Sequence, residues 1–285
     1  VDNSYYTFEE YKTLIKENQT DKNDTLVYLY ATDEKKQYSY IKAAKEKGYD
    51  VLIMDGHLDA HFINQLEQKF EKTQFTRVDS DIVEKLIQKE DVNETKLTQQ
   101  EKDSLTPVFS VQAPSEHYIV QFESLHDSDM PVIITQSEFM RRMKDMAKMN
   151  PGMGFYGELP DSYNLVVNTN HELITQINED CTKKVGKKIQ DLYSKIEPLS
   201  KKKETLENKH KDMKEEEIST EEKDAKADLS KEIEKLNQEK NSILKEYGKK
   251  NDLVKQVIDL ALISNNMLQG EDLNQFVKRS LTLIK

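Results

Sequence analysis

The sequence predicts a small α/β unit, a parallel three-stranded βαβαβ sheet, followed by an α+β domain that carries a long antiparallel helical hairpin and ends in a helix pair forming a dimeric four-helix bundle. Three observations predict it. Short β-branched or aromatic runs alternate with helix-length amphipathic segments over the first 80 or so residues. A heptad seam runs through residues 185–247. Residues 253–284 are far more apolar than the rest of a chain in which 33% of residues are charged.

Taken in order, Phe8 to Lys16 reads as a helix, with Thr7 and Glu10 spaced as a capping box. Thr25–Tyr30, Tyr49–Met54 and Phe75–Val78 read as strands, and Tyr38–Lys47 (with Gly48 as cap) and Leu58–Phe70 as helices between them. Strands separated by such helices pair in parallel through right-handed crossovers. A nucleotide-binding version of this unit needs a glycine-rich turn after its first strand. Here that strand runs into Ala31-Thr32-Asp33-Glu34, whose carboxylates repel a pyrophosphate, so the unit reads as structural.

Residues 91–104 are polar and without apolar periodicity, which marks a linker between a domain over 1–90 and one over 105–285, with Thr98–Ser104 able to turn helical. His117–Leu125 reads as a half-buried strand paired with Val132–Thr135 through the turn HDSDMP, and Tyr163–Val167 adds a third. From Ile189 the seam steps through Leu192, Ile196, Leu199, Lys203, Leu206 and His210, then resumes at Leu229, Ile233, Leu236, Lys240, Ile243 and Tyr247. Folding the two about a turn at Ser219 and Thr220 pairs His210 with Leu229, Leu206 with Ile233 and Leu192 with Tyr247, in an arm about 40 Å long at 1.5 Å per residue. Ser219 and Glu222 have capping-box spacing. Pro198 should kink the first arm or remove one backbone hydrogen bond there, and Lys203 and Lys240 lower the stability of the seam while helping to fix its register.

Composition excludes several classes. A net charge of −11 and a pI near 5.2 disfavour nucleic-acid binding, which needs a concentrated basic face. One cysteine, Cys181, permits no intrachain disulfide and fits a reducing compartment; no apolar run spans a bilayer, and VDNSYYTFEE lacks the basic and apolar regions of a signal peptide. A soluble, cytoplasmic protein without a membrane partner is expected. Asp55, His57, Asp59 and His61 alternate in DGHLDAH, but residues two apart on a helix diverge, so no metal site is expected. His171 has no nucleophile or acid at recognisable spacing, and no catalytic residue is assigned.

The most unusual stretch is Pro131–Asn150, PVIITQSEFMRRMKDMAKMN. A strand leads to Ser137 as N-cap and then to a helix that stops at Asn150-Pro151-Gly152. Phe139, Met140, Met143, Met146, Ala147 and Met149 occupy one half of its cylinder, and Arg141, Arg142, Lys144, Asp145 and Lys148 the other. A methionine-rich face is either a core face or an adaptable surface for several partners.

This string, with YNLVVNTNHELI at 163–174 and DLALISNNMLQGEDLNQFVKRSLTLI at 259–284, resembles the C-terminal region of the heat-shock protein 90 chaperone family, in its bacterial HtpG branch. The resemblance implies that 1–90 closes the chaperone's middle domain and that 105–285 is its dimerisation domain, with the hairpin as an insertion. It implies a homodimer that grips unfolded or partly folded client proteins through Phe139, Met140, Met143, Met146 and Met149. His61, where some relatives carry a larger aromatic, joins them with Phe62. Met153 and Phe155 extend the same patch. Leu253, Val257, Leu260, Ala261, Met267, Leu273, Phe276, Val277, Leu281 and Ile284 are then the dimer interface. ATP and Mg would serve the full-length parent, with no cofactor in these residues. Rival readings are a coiled-coil scaffold or docking protein and a small-molecule enzyme built on the βαβ sheet.

Overall fold

The computed structural model describes residues 5–56, 59–89, 95–126, 129–149, 161–211 and 219–283. They form two compact units: Val1–Lys96 with Ala113–Glu172 and Gln256–Lys285, and Leu97–Gln112 with Leu173–Lys255.

In the first unit, α1 (Phe8–Gln19) begins with the expected capping box between Thr7 and Glu10. β1 (Leu26–Ala31), α2 (Tyr38–Glu46), β2 (Val51–Ile53), α3 (Asp59–Lys69) and β3 (Thr73–Arg77) then give the anticipated parallel sheet, in the order β2-β1-β3. β1 is central because all six of its residues are apolar and buried. Its alternate side chains feed two cores. Val27, Leu29 and Ala31 pack with Ile41 and Ala44 of α2. Leu26, Tyr28 and Tyr30 pack with Tyr11 and Ile15 of α1, Ile63 of α3 and Phe75. Gly48 ends α2 at φ +78°, donating its N–H to Lys45 O at 2.9 Å, where an L side chain would be strained.

After the single-turn α4 (Val83–Leu86) and α5 (Gln99–Ser110), the first unit resumes with β4 (Tyr118–Glu123), β5 (Val132–Thr135), α6 (Glu138–Met149) and β6 (Tyr163–Asn168). The expected pairing of β4 with β5 is not found. The order is β4-β6-β5, with β6 parallel to β4 and antiparallel to β5. Burial explains the choice: Leu165, Val166 and Val167 are all inaccessible, which suits a centre, whereas Ile119 of β4 is half exposed, which suits an edge.

The second unit joins α5 to α7 (Glu172–His210) and α8 (Thr220–Lys249). α5 starts at a Thr98–Glu101 capping box, so helix occupies part of the stretch read as linker over 91–104. α7 continues through Pro198. The antiparallel hairpin is present, but in a different register. His210 meets Glu222 at 3.1 Å, Glu207 meets Lys226 at 3.1 Å, and Lys240 lies over the Tyr193 ring, which is about one heptad tighter than the pairing of His210 with Leu229. A heptad seam slides by one repeat without losing its apolar alignment, so periodicity alone leaves the register open. Ser219 accepts from Glu222 N as expected, but only that half of the capping box forms, because the Glu222 carboxylate is taken by Lys209 and His210.

The chain ends in α9 (Asp252–Ser264) and α10 (Gly270–Leu283). The first helix of the expected apolar pair stops at Ser264. Asn266, at φ +56°, turns the chain while Met267 N donates to Leu262 O, and Gly270 opens the next helix instead of breaking the last. Among the described residues no helix is long and apolar enough to cross a membrane.

Gly248 is where α8 meets α5: a Cβ there would lie 2.6 Å from Val108 O and 2.9 Å from Val108 Cα. Gly248→Ala is expected to destabilise the hairpin unit by about 1–3 kcal/mol through overpacking, read by urea unfolding. An unchanged midpoint would show that α5 and α8 have slack there.

Candidate functional site

α6 is set by its first turn. Glu138, Arg141 and Arg142 are its polar foot, and each reaches the parallel sheet. Tyr30, at the end of β1, donates its hydroxyl to Glu138 Oε1 at 2.8 Å and accepts from Arg141 Nη2. Arg141 Nη2 also donates to Glu138 Oε1 at 2.7 Å. Arg142 reaches furthest. Its Nε donates to Glu138 at 2.7 Å, its two Nη atoms donate to the Glu67 carboxylate of α3 at 2.6 and 3.1 Å, and Nη2 also donates to Phe75 O of β3 at 2.6 Å.

The electrostatics follow from this. Burial pushes the Glu138 carboxyl up, but Arg141 and Arg142 beside it outweigh burial and hold it below its ordinary value of 4.5. Burial works against the Arg142 cation, and Glu67 and Glu138 reverse that, so it stays charged. The Tyr30 phenol is raised, mainly by burial, and remains a neutral donor.

Above this foot the apolar side chains are unequally covered. Phe139 is 69% exposed and flanks a cavity of about 470 Å³ that Glu67, Thr76 and Arg142 also line. Met140 and Met143 are half-buried. Met146 and Met149 belong to α6 and His61 to α3, with side chains outside the described residues, as are Met153 and Phe155 altogether. Phe62 of α3 is 52% exposed. The sequence reading placed Arg141 and Arg142 on the polar half of α6 and missed their task. Glu138 four residues before Arg142 was the visible half of the signal; Glu67 was not, since only the fold brings it near.

Of the residues expected at a dimer interface, Val257 and Ala261 are buried within this chain, and Leu253, Leu260, Met267 and Phe276 are half-buried. Leu273, Val277 and Leu281, four apart, leave an exposed stripe on α10, and Ile284 lies outside the described residues. Arg279 pairs with buried Asp259, and Gln256 donates to Ser280 Oγ at 2.7 Å, fastening α10 to α9.

At the C-terminal ends of β1 and β3, the usual place for a ligand in a parallel sheet, Lys36 pairs with Asp33 at 3.3 Å and Arg77 with Asp79 at 2.5 Å. The cations there are matched by neighbouring acids. Among the described residues no group of three or more His, Cys, Asp or Glu side chains is placed to hold a metal. Of the four alternating residues in DGHLDAH, His57 and the His61 side chain lie outside the described residues, and Asp59 accepts from Gly56 N at 2.8 Å. Burial pushes the Cys181 thiol up to about 11, which leaves it unreactive at neutral pH.

Among the described residues, Phe62 of α3 and Phe139 of α6 leave apolar surface exposed, and ion pairs fasten α6 to the sheet. The Hsp90 protein family model matches residues 1–196, and the chain belongs to that family. Over its whole length it is 49% identical to "Chaperone protein htpG" of Bacteroides fragilis (strain YCH46), 48% to "Chaperone protein HtpG" of Bacteroides thetaiotaomicron and 45% to "Chaperone protein HtpG" of Porphyromonas gingivalis. Each match covers all of this chain and 42% of the relative. The chain thus spans about two fifths of the length of the curated relatives it matches.

Glu138 gives a pH prediction. Because its folded pKa is depressed, its pairs contribute stability that is complete above the ordinary value of 4.5 and lost as pH falls through the folded value. Glu138→Gln should cost about 1–3 kcal/mol at neutral pH, and the difference from the parent should shrink as pH drops below 4.5. Urea unfolding across pH checks it; a gap independent of pH would mean that the pairs do not hold the foot.

Proposed function

We propose that this chain is the client-binding and dimerising portion of an HtpG-type Hsp90 chaperone that assists protein folding in the cytoplasm. In this reading residues 1–90 form the last subdomain of the middle domain, 91–104 the linker, and 105–285 the C-terminal dimerisation domain with the hairpin at about 185–247 inserted. The observation that carries it is Phe139, 69% exposed on a methionine-rich helix in a chain of the Hsp90 family. A solvated phenylalanine on a helix anchored by its charged residues is placed to meet another polypeptide. The names of the curated relatives weigh against a scaffold without chaperone activity. ATP and Mg chemistry is assigned to the full-length parent and not to this chain.

Phe139→Ser combined with Met143→Ser should weaken binding of a reduced, unfolded polypeptide about tenfold, or about 1.4 kcal/mol, by fluorescence anisotropy, with the melting temperature nearly unchanged. Undiminished binding would remove α6 from the client site.

For the dimer, the exposed stripe of α10 is proposed to pair with its counterpart, giving a four-helix bundle from two α9–α10 pairs. Light scattering across dilution should find a dimer for the parent and a monomer for Leu273→Ser/Val277→Ser/Leu281→Ser. A dimer in both would place the interface elsewhere.

A further inference from the structure

We infer that Arg142 is a positioning residue that fixes the spacing between the apolar side chains of α3 and those of α6, so that one extended segment of non-native polypeptide engages both. The inference rests on the client-binding reading. It begins from what Arg142 touches. One guanidinium bonds Glu67 of α3, Phe75 O of β3 and Glu138 at the start of α6. Its side chain is 23% exposed, so it supplies little of the surface itself.

The third contact ties the clamp to something rigid. β3 is an edge strand. Lys72 O accepts from Leu26 and Val78 N donates to Tyr30 O, so the even-numbered residues of this strand bond β1 and the odd-numbered ones turn their backbone outward. At Phe75 the outward N–H donates to Glu67 Oε1 at 2.7 Å and the outward carbonyl accepts from Arg142. The Glu67–Arg142 pair therefore stands where a neighbouring strand would. It references both helices to the sheet and covers the middle of its edge. Arginine suits this role because its planar fork holds several acceptors in fixed directions, which a lysine ammonium on a flexible stem does not.

Fixed spacing matters through effective concentration. Once one cluster of a chain is bound on α6, a second reaches Phe62 on α3 as an intramolecular event, and the gain is set by how well the linker's reach matches the span that the clamp holds between the two sites. Loosening the clamp should remove that gain while leaving each apolar set able to bind alone.

The test uses the 285-residue chain, its Arg142→Lys and Glu67→Gln variants, and two fluorescent probes. One probe is a long synthetic polypeptide with two Phe-Leu clusters joined by a Gly/Ser linker, and the other is the short peptide bearing one cluster. In both variants the long probe should bind about tenfold more weakly and the short probe should change by less than about twofold. Equal weakening of both probes, or of neither, overturns the inference. The variants remove different partners of the clamp and are melted separately, so a fold lost in one leaves the other to decide. If Phe62→Ser and Phe139→Ser in the parent leave the long probe unaffected, the client-binding reading fails instead, whatever the clamp does.

Discussion

The buried charges at the foot of α6 are the constraint on which the first unit depends. Glu138, Arg141 and Arg142 have side chains between 12 and 23% exposed, and none could sit there alone. A desolvated ion costs several kcal/mol before its partner returns it, and the return is full only when every donor and lone pair is engaged. Arg142 comes close to that condition, with four of its five N–H groups on carboxylates of two elements and a strand carbonyl. Because the carboxylate of Glu67 and the carbonyl of Phe75 come from α3 and β3, these contacts seat α6 directly on the parallel sheet. The strand that makes this possible is β1, whose buried side chains give the sheet a core on each face and whose Tyr30 hydroxyl joins the network.

A contrast appears in the second unit, where position is set by repetition. The hairpin seam is periodic, so several alignments bury similar apolar area, and the choice falls to residues that interrupt the period. Glu222 is one. Taken by Lys209 and His210, it is held below the usual carboxylate range by those hydrogen bonds. Lys240 is another, placing its ammonium 4.5 Å from the centre of the Tyr193 ring. At the base, Gly248 lets α5 approach more closely than any side chain would.

This difference explains what the sequence made legible. The βαβαβ unit was readable because each strand was short, apolar and separated by one amphipathic helix, so the topology rules left few choices. The second sheet was not. Its strands were visible, but the central place of β6 depends on relative burial, and proximity in sequence favoured β4 with β5. For the candidate site, helical spacing put Phe139, Met140 and Met143 on one side of α6, and of these only Phe139 is largely exposed; the same spacing picked out the exposed stripe on α10. Val257 and Ala261 looked identical to the stripe residues in sequence, yet they are consumed in packing within the chain. Glu67 could not be tied to Arg142, because long-range ion pairs leave no local periodic trace.

An amphipathic helix ordinarily gains its place by burying its apolar face. On α6 that arrangement is partly reversed: Phe139 is largely solvated, Met140 and Met143 are half covered, and the charged residues of the first turn are the ones enclosed. A helix held by its apolar side has no apolar surface left to offer, and an apolar surface offered without another anchorage would collapse onto the nearest core. Anchoring α6 through Glu138, Arg141 and Arg142 resolves the conflict. Specific, directional contacts hold the helix at its first turn and leave Phe139 exposed beside half-buried Met140 and Met143.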